Sequence, residues 1–142
     1  MRNLVEQTVL LTVGVKKVYK LLSKLKNFQL LLAAHTSDWE IDGDVCTLIY
    51  DGDKATKLKM YEQITNEKIV LGTYGKNSLE FDMVFLMFEV DKKRTNFKIV
   101  IKADLNPIMA SMISSSMEEL KDDFLTEMKK ELGIEADSEK EK

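Results

Sequence analysis

The chain has 142 residues, 44% of them hydrophobic and 32% charged, with a formal net charge of −3. That length fits one domain around a single core, and the small net charge supplies no global basic field for nucleic acid. No apolar run approaches the ~20 residues of a membrane-spanning helix, no signal-peptide pattern opens the sequence, and the one cysteine, Cys46, lacks an internal disulfide partner. A cytoplasmic protein is expected.

Leu4 to Val13, rich in Val, Thr and Leu, reads as a first strand. From about Val15 the period changes: Val18, Leu21, Leu22 and Leu25 recur at helical spacing, with Lys16, Lys20 and Lys24 on the opposite side. A second short helical or turn segment is predicted from Phe28 to Ala34. Six strands follow, over Asp38–Ile41, Val45–Tyr50, Ala55–Thr65, Lys68–Tyr74, Leu79–Val90 and Thr95–Leu105. Asp-Gly turns at 42–44 and 51–53 and the short DKKR loop favour antiparallel hairpins.

The last two strands alternate most clearly. Leu79, Phe81, Met83, Phe85 and Met87 share one face, as do Phe97, Ile99, Ile101, Ala103 and Leu105. Val84, Leu86, Phe88 and Val100 fall on the other face, where an exposed apolar patch would suit a homodimer or a protein partner. A long helix then begins, with Asn106 as N-cap and Pro107 at its first position. Met109, Ile113, Met117, Leu120, Phe124 and Met128 form an apolar stripe about five turns long, and Gly133 provides the stop. The predicted organisation is one domain over 1–133 and a disordered, charged tail over 134–142.

Methionine adapts to varied neighbours, and Ser114, Ser115 and Ser116 leave space where leucine would fill it. The helix therefore suits either a cavity wall or a plain core with methionine as gap filler. Glu62 is similarly open. In KLKMYEQI it shares a phase with Leu58, Met60 and Ile64, so it could point inward as an anchor for a ligand head group, with Tyr19, Tyr50 or Thr73 as partner. Alternatively it reaches water at a strand end, or a bulge reverses the phase.

No catalytic triad, phosphate loop, dinucleotide fingerprint or zinc-type cysteine pairing appears, and no catalytic residue, metal or cofactor is assigned. His35, the one histidine, is read as a loop residue and Cys46 as an inward-facing small hydrophobe. An enzyme would need a positioned acid–base pair, for which only Glu62 with a tyrosine is available. The acidic residues around positions 38–53 read as solvated hairpin turns, and the lysines of the first helix as a solvated face that could touch anionic lipid.

The VYKLLSKLKNFQLLL stretch, the Asp38-Trp39 pair, Cys46, LKMYEQ at 58–63 and ADLNPIM at 103–109 together resemble the START-like superfamily, also called SRPBCC or helix-grip. This superfamily includes the birch-pollen allergen and polyketide cyclases, and small Bacteroidetes-type members are the most similar. The serines at 114–116 depart from the resemblance, which leads one to expect a basic residue and a proline there. It implies an α+β helix-grip fold: a seven-stranded curved antiparallel sheet wrapped around a long C-terminal helix, with two short helices between strands 1 and 2. It further implies an apolar cavity between sheet and helix, in a superfamily that binds lipids, sterols, polyketides, hormones or quinones and of which a minority catalyses cyclisation or hydrolysis. With the methionine-serine helix facing an alternating apolar sheet, the expected function is a non-enzymatic binding protein holding a hydrophobic or amphipathic small molecule, such as a lipid, isoprenoid or aromatic metabolite. The alternatives are an interaction module or homodimer using the outer sheet face and a cyclase- or hydrolase-type enzyme. The expected walls include Tyr19 on the first helix, and Leu48, Tyr50, Leu58, Met60, Glu62, Leu71 and Thr73 on the middle strands. Phe81, Met83, Phe85, Phe97, Ile99 and Ile101 would come from the last two strands. Met109, Met112, Ile113, Ser116, Met117, Leu120 and Phe124 would come from the terminal helix.

Overall fold

Short turns between alternating segments leave few ways to pair the strands, and the chain takes the simplest. The computed structural model describes residues 2–50, 54–75 and 80–134, with only the backbone of Tyr50. The elements in chain order are β1 (Arg2–Leu11), α1 (Val15–Leu22), a 3-10 turn (Leu25–Asn27), α2 (Phe28–Leu31) and a second 3-10 turn (Ala33–His35). Then come β2 (Asp38–Asp42), β3 (Val45–Tyr50), β4 (Lys54–Ile64), β5 (Lys68–Thr73), β6 (Phe81–Asp91), β7 (Arg94–Ala103) and α3 (Pro107–Glu131). All seven strands form one antiparallel sheet in the order β1-β7-β6-β5-β4-β3-β2, so β1 closes against the last strand and the rest is a meander. The turn at 51–53, the position of Leu79, the side chain of Tyr50 and the tail at 135–142 lie outside the described residues.

Boundaries shift for local reasons. The first strand ends at Leu11 instead of Val13, because the chain must turn into α1 through Gly14. Gly14 lies tight against the β6–β7 hairpin, where an added Cβ would sit 2.5 Å from the Lys92 carbonyl oxygen. The Thr95 hydroxyl ties this corner down by donating to the Val13 carbonyl at 2.9 Å. The segment from Phe28 divides into the short helix α2 and the 3-10 turn Ala33–His35. Leu31 and Leu32 are both buried, and the backbone leaves helical geometry at Leu32 to turn both inward.

The long helix starts and stops as its end residues dictate. The Asn106 side chain accepts a hydrogen bond from the Met109 N–H at 2.9 Å. At the other end Gly133 adopts a φ of 76°, its N–H donates to the Lys130 carbonyl, and the Ile134 N–H donates to the Lys129 carbonyl. This paired closure is the Schellman motif, which needs a left-handed residue after the cap.

α3, α1 and α2 cover one face of the sheet. Four phenylalanines meet where they converge. Phe85 on β6 lies 5.2 Å from Phe124 on α3, 5.8 Å from Phe28 on α2 and 6.0 Å from Phe97 on β7, centroid to centroid. All four are fully buried. Lys121 is buried as well, on the side of α3 that meets β1. Its ammonium donates to Gln7 on β1, to Asp122 at 2.6 Å and pairs with Glu118 at 3.2 Å. Burial pulls this ammonium's pKa down, but hydrogen bonds and charge from Asp122 and Glu118 outweigh that pull and raise it above the ordinary lysine value.

The outer sheet face differs from expectation. Val84 and Val100 are only 8% and 5% exposed, so they form no open patch. They pair directly across β6 and β7, and the ion pairs Lys98–Glu6 and Lys68–Glu62, each at 3.0 Å, flank them on the neighbouring strands. Long charged side chains lay their aliphatic stems over such a surface. Leu86 is half-buried between Lys68 and Lys98, while Phe88 remains exposed.

Replacing Phe85 by Ala removes the ring that touches the other three. The expected cost is about 3–5 kcal/mol of unfolding free energy, measured by urea titration. A loss below about 1 kcal/mol would mean that the cluster does not carry the core.

Candidate functional site

Packing is dense around the phenylalanines and incomplete under the middle of α3. There a pocket of about 550 Å³ opens between α3, the 32–37 turn and the inner face of the sheet. Leu48 on β3, Thr56 and Leu58 on β4, and Phe81 and Met83 on β6 form its floor. Ser116, Met117 and Leu120 form the roof, and Leu32, Ala34, His35, Thr36 and Ser37 the rim. Cross-strand pairing explains why these residues share one face. Leu48 opposes Thr56, and after one further strand Met83 opposes Leu71.

The structure thus brings Leu48, Leu58, Phe81, Met83, Ser116, Met117 and Leu120 together around the hollow. Other expected wall residues lie elsewhere. Leu71, Phe85, Phe97, Ile99, Ile101 and Phe124 are fully buried in the solid core, and Tyr19 and Met60 pack against it from its edge. Thr73 spends its hydroxyl oxygen accepting the Phe81 N–H at 3.3 Å, and Ile113 is half-buried beside the pocket without lining it. Met109 and Met112 are 46% and 74% exposed. The reason is rotational: Ala110 is the buried residue of the first turns, so the two methionines sit off the sheet-facing stripe.

Glu62 is the other correction. Tyr61 is an extra residue in β4, so Met60 still opposes Leu71 but Glu62 opposes Val70. The bulge reverses the phase and sends the carboxylate to the outer face, where it pairs with Lys68 at 3.0 Å. The Tyr61 hydroxyl bridges the irregularity by donating to the Thr73 carbonyl at 2.8 Å. Gln63 now faces inward, and its amide donates to the Ser23 carbonyl at the end of α1. Glu62 is therefore no anchor for anything inside.

Sequence reasoning missed the rim. His35 is no isolated loop residue: its Nε2 lies 2.8 Å from Asp123 Oδ2 on α3, a pairing across 88 residues. No local pattern announces such a contact. The Thr36 hydroxyl donates to the Leu32 carbonyl and the Ser37 hydroxyl to the Ile49 carbonyl, each at 3.2 Å, which fixes the turn that carries the imidazole. Trp39 opposes Leu48 on the edge strand and so faces the same side as the pocket floor. Its indole N–H is buried without a hydrogen-bond partner among the described residues. Cys46 is fully buried, and burial pushes its thiol up to about 12.

Two outcomes check this placement. At pH 8 the Cys46 thiol should resist a thiol-specific reagent in the folded protein and react fully once unfolded; rapid labelling of the native protein would contradict its burial. Glu62→Gln should change stability by less than about 1 kcal/mol, as expected for an exposed ion pair, with no effect on the pocket. A larger loss in a denaturation curve would show the carboxylate to be structurally committed.

The sequence matches no family model and no curated protein. Solved structures match it well. The Zhui aromatase/cyclase from Streptomyces sp. R1128 is similar at a TM-score of 0.69 and 17% identity, over 91% of this chain and 92% of that one. A START superfamily protein from Mycobacterium smegmatis aligns at 0.68 and 10% identity, over 89% and 97%. Norcoclaurine synthase from Thalictrum flavum, in complex with dopamine and hydroxybenzaldehyde, aligns at 0.69 and 11% identity, over 93% and 87%. A seven-stranded antiparallel sheet, a 25-residue helix after β7, two short helices after β1 and these likenesses agree: the chain has a helix-grip fold, the fold it shares with these solved structures.

Proposed function

We propose that this protein is a non-enzymatic carrier or sensor that holds a hydrophobic or amphipathic small molecule, a lipid, isoprenoid or aromatic metabolite, between the sheet and α3. The observation that carries this reading is the hollow of about 550 Å³, which falls within the roughly 300–1,000 Å³ usual for small-molecule sites. A protein of this size gains by filling such a space, since each unfilled contact forfeits dispersion energy. Leu48, Leu58, Met83, Met117 and Leu120 offer apolar surface, worth roughly 25 cal/mol per Å² removed from water. Met83 and Met117 can re-pack around guests of different outline.

Solved structures with the same fold support a guest of modest size. The norcoclaurine synthase holds dopamine and hydroxybenzaldehyde, and the Zhui protein is an aromatase/cyclase. Among the described residues no helix is long and apolar enough to cross a membrane. Among the described residues no group of three or more His, Cys, Asp or Glu side chains is placed to hold a metal ion.

Native mass spectrometry of gently purified protein, followed by solvent extraction, tests the reading. The expected result is a co-purifying small molecule that is lost in Met117→Trp, where the indole occupies the hollow. An unliganded mass throughout, with no apolar compound binding on titration, would sink it.

A further inference from the structure

The rim of the pocket holds an acid–base pair that the binding reading does not use. His35 lines the pocket, and its Nε2 is held at 2.8 Å by Asp123 Oδ2. A carboxylate can only accept, so in the neutral imidazole this contact places the proton on Nε2 and the lone pair on Nδ1. Nδ1 has no hydrogen-bond partner among the described residues. The neighbouring hydroxyls of Thr36 and Ser37 already donate to backbone carbonyls. Among the described residues, His35 Nδ1 is thus an acceptor at this rim with no donor of its own.

The geometry points to a specificity site: His35, oriented by Asp123, accepts a hydrogen bond from a hydroxyl group on the bound molecule. This rests on the binding reading and adds the ligand class, an apolar body ending in a phenolic or alcoholic hydroxyl. The arrangement has what such a role needs. His35 sits on the short Ala33–His35 turn, whose backbone is closed by the His35 N–H donating to the Leu32 carbonyl at 3.0 Å. Asp123 follows Ser116 and Leu120, which roof the pocket, by seven and three residues, so all three share one side of α3. The ring is 29% exposed, which leaves it reachable while removing most competing water. His35 here is a positioning and recognition residue, and no bond is made or broken.

The test pairs 4-propylphenol with its methyl ether, which keeps the shape and loses the donor, in titration calorimetry against the intact protein. The phenol should bind roughly threefold to tenfold more tightly, the range a single net hydrogen bond supplies. In His35→Phe the phenol should fall to the affinity of the ether, and in Asp123→Ala, which frees the tautomer, the ratio should shrink. Nitrogen-15 shifts of the imidazole at mildly alkaline pH should show the Nε2–H form in the unsubstituted protein. Equal affinities for phenol and ether, or a dominant Nδ1–H form, would overturn the hydroxyl site while leaving the carrier reading intact. Failure of both probes, together with no co-purified molecule, would retire the carrier reading itself.

Discussion

The contact of Phe85 with Phe124, at 5.2 Å between ring centroids, sets the terms for the rest of the molecule. Phe85 lies on a central strand and also meets Phe28 and Phe97, so one ring joins the sheet, α2 and α3. Aromatic rings bring large buried area in a rigid shape, and close packing around them leaves little room for adjustment. This contact seats the C-terminal part of α3, while Ser116, Met117 and Leu120 further back roof the pocket. Ser116 and Met117 stand where bulkier groups would be needed, and the space beneath them stays open. The hollow follows from where the phenylalanines stop.

Polar groups are then sorted around that hollow with some economy. A carboxylate inside an apolar space must find a partner or be neutralised, and the extra residue at Tyr61 avoids the problem by turning Glu62 outward onto Lys68. On the outer face this same ion pair, with Lys98–Glu6, flanks Val84 and Val100. Inside, Lys121 is admitted beside β1 because Gln7, Glu118 and Asp122 all receive its protons. What polarity reaches the pocket comes from the 32–37 turn and from α3, the two segments that meet at His35 and Asp123. The strands supply shape and the rim supplies chemistry, the usual division in sites built on a rigid sheet.

Local rules were enough for much of this architecture. Two-residue alternation marked the inner faces of β6 and β7, and the change to helical spacing after Val15 marked α1. Asn106 and Gly133 bounded α3 because their side-chain and backbone chemistry acts within four residues, and proximity in sequence is all such capping requires. The antiparallel hairpins from β2 to β7 were legible for the same reason, since short turns favour pairing of neighbours, whereas the closure of β1 onto β7 joins the two ends of the chain.

Tertiary structure alone decided the points on which the site turns. A bulge changes register by one residue without leaving a clear mark in composition, so the sequence carried both directions for Glu62 until β4 paired with β5. The rotation of α3 that exposes Met112 and buries Ala110 depends on how the phenylalanines seat the helix, not on the stripe itself. The sequence by itself determined the elements, their ends and which strand faces are apolar, because those follow from contacts a few residues apart. It could not determine that His35 would meet Asp123 or that space would remain beside them, because both are outcomes of packing between segments 88 residues apart.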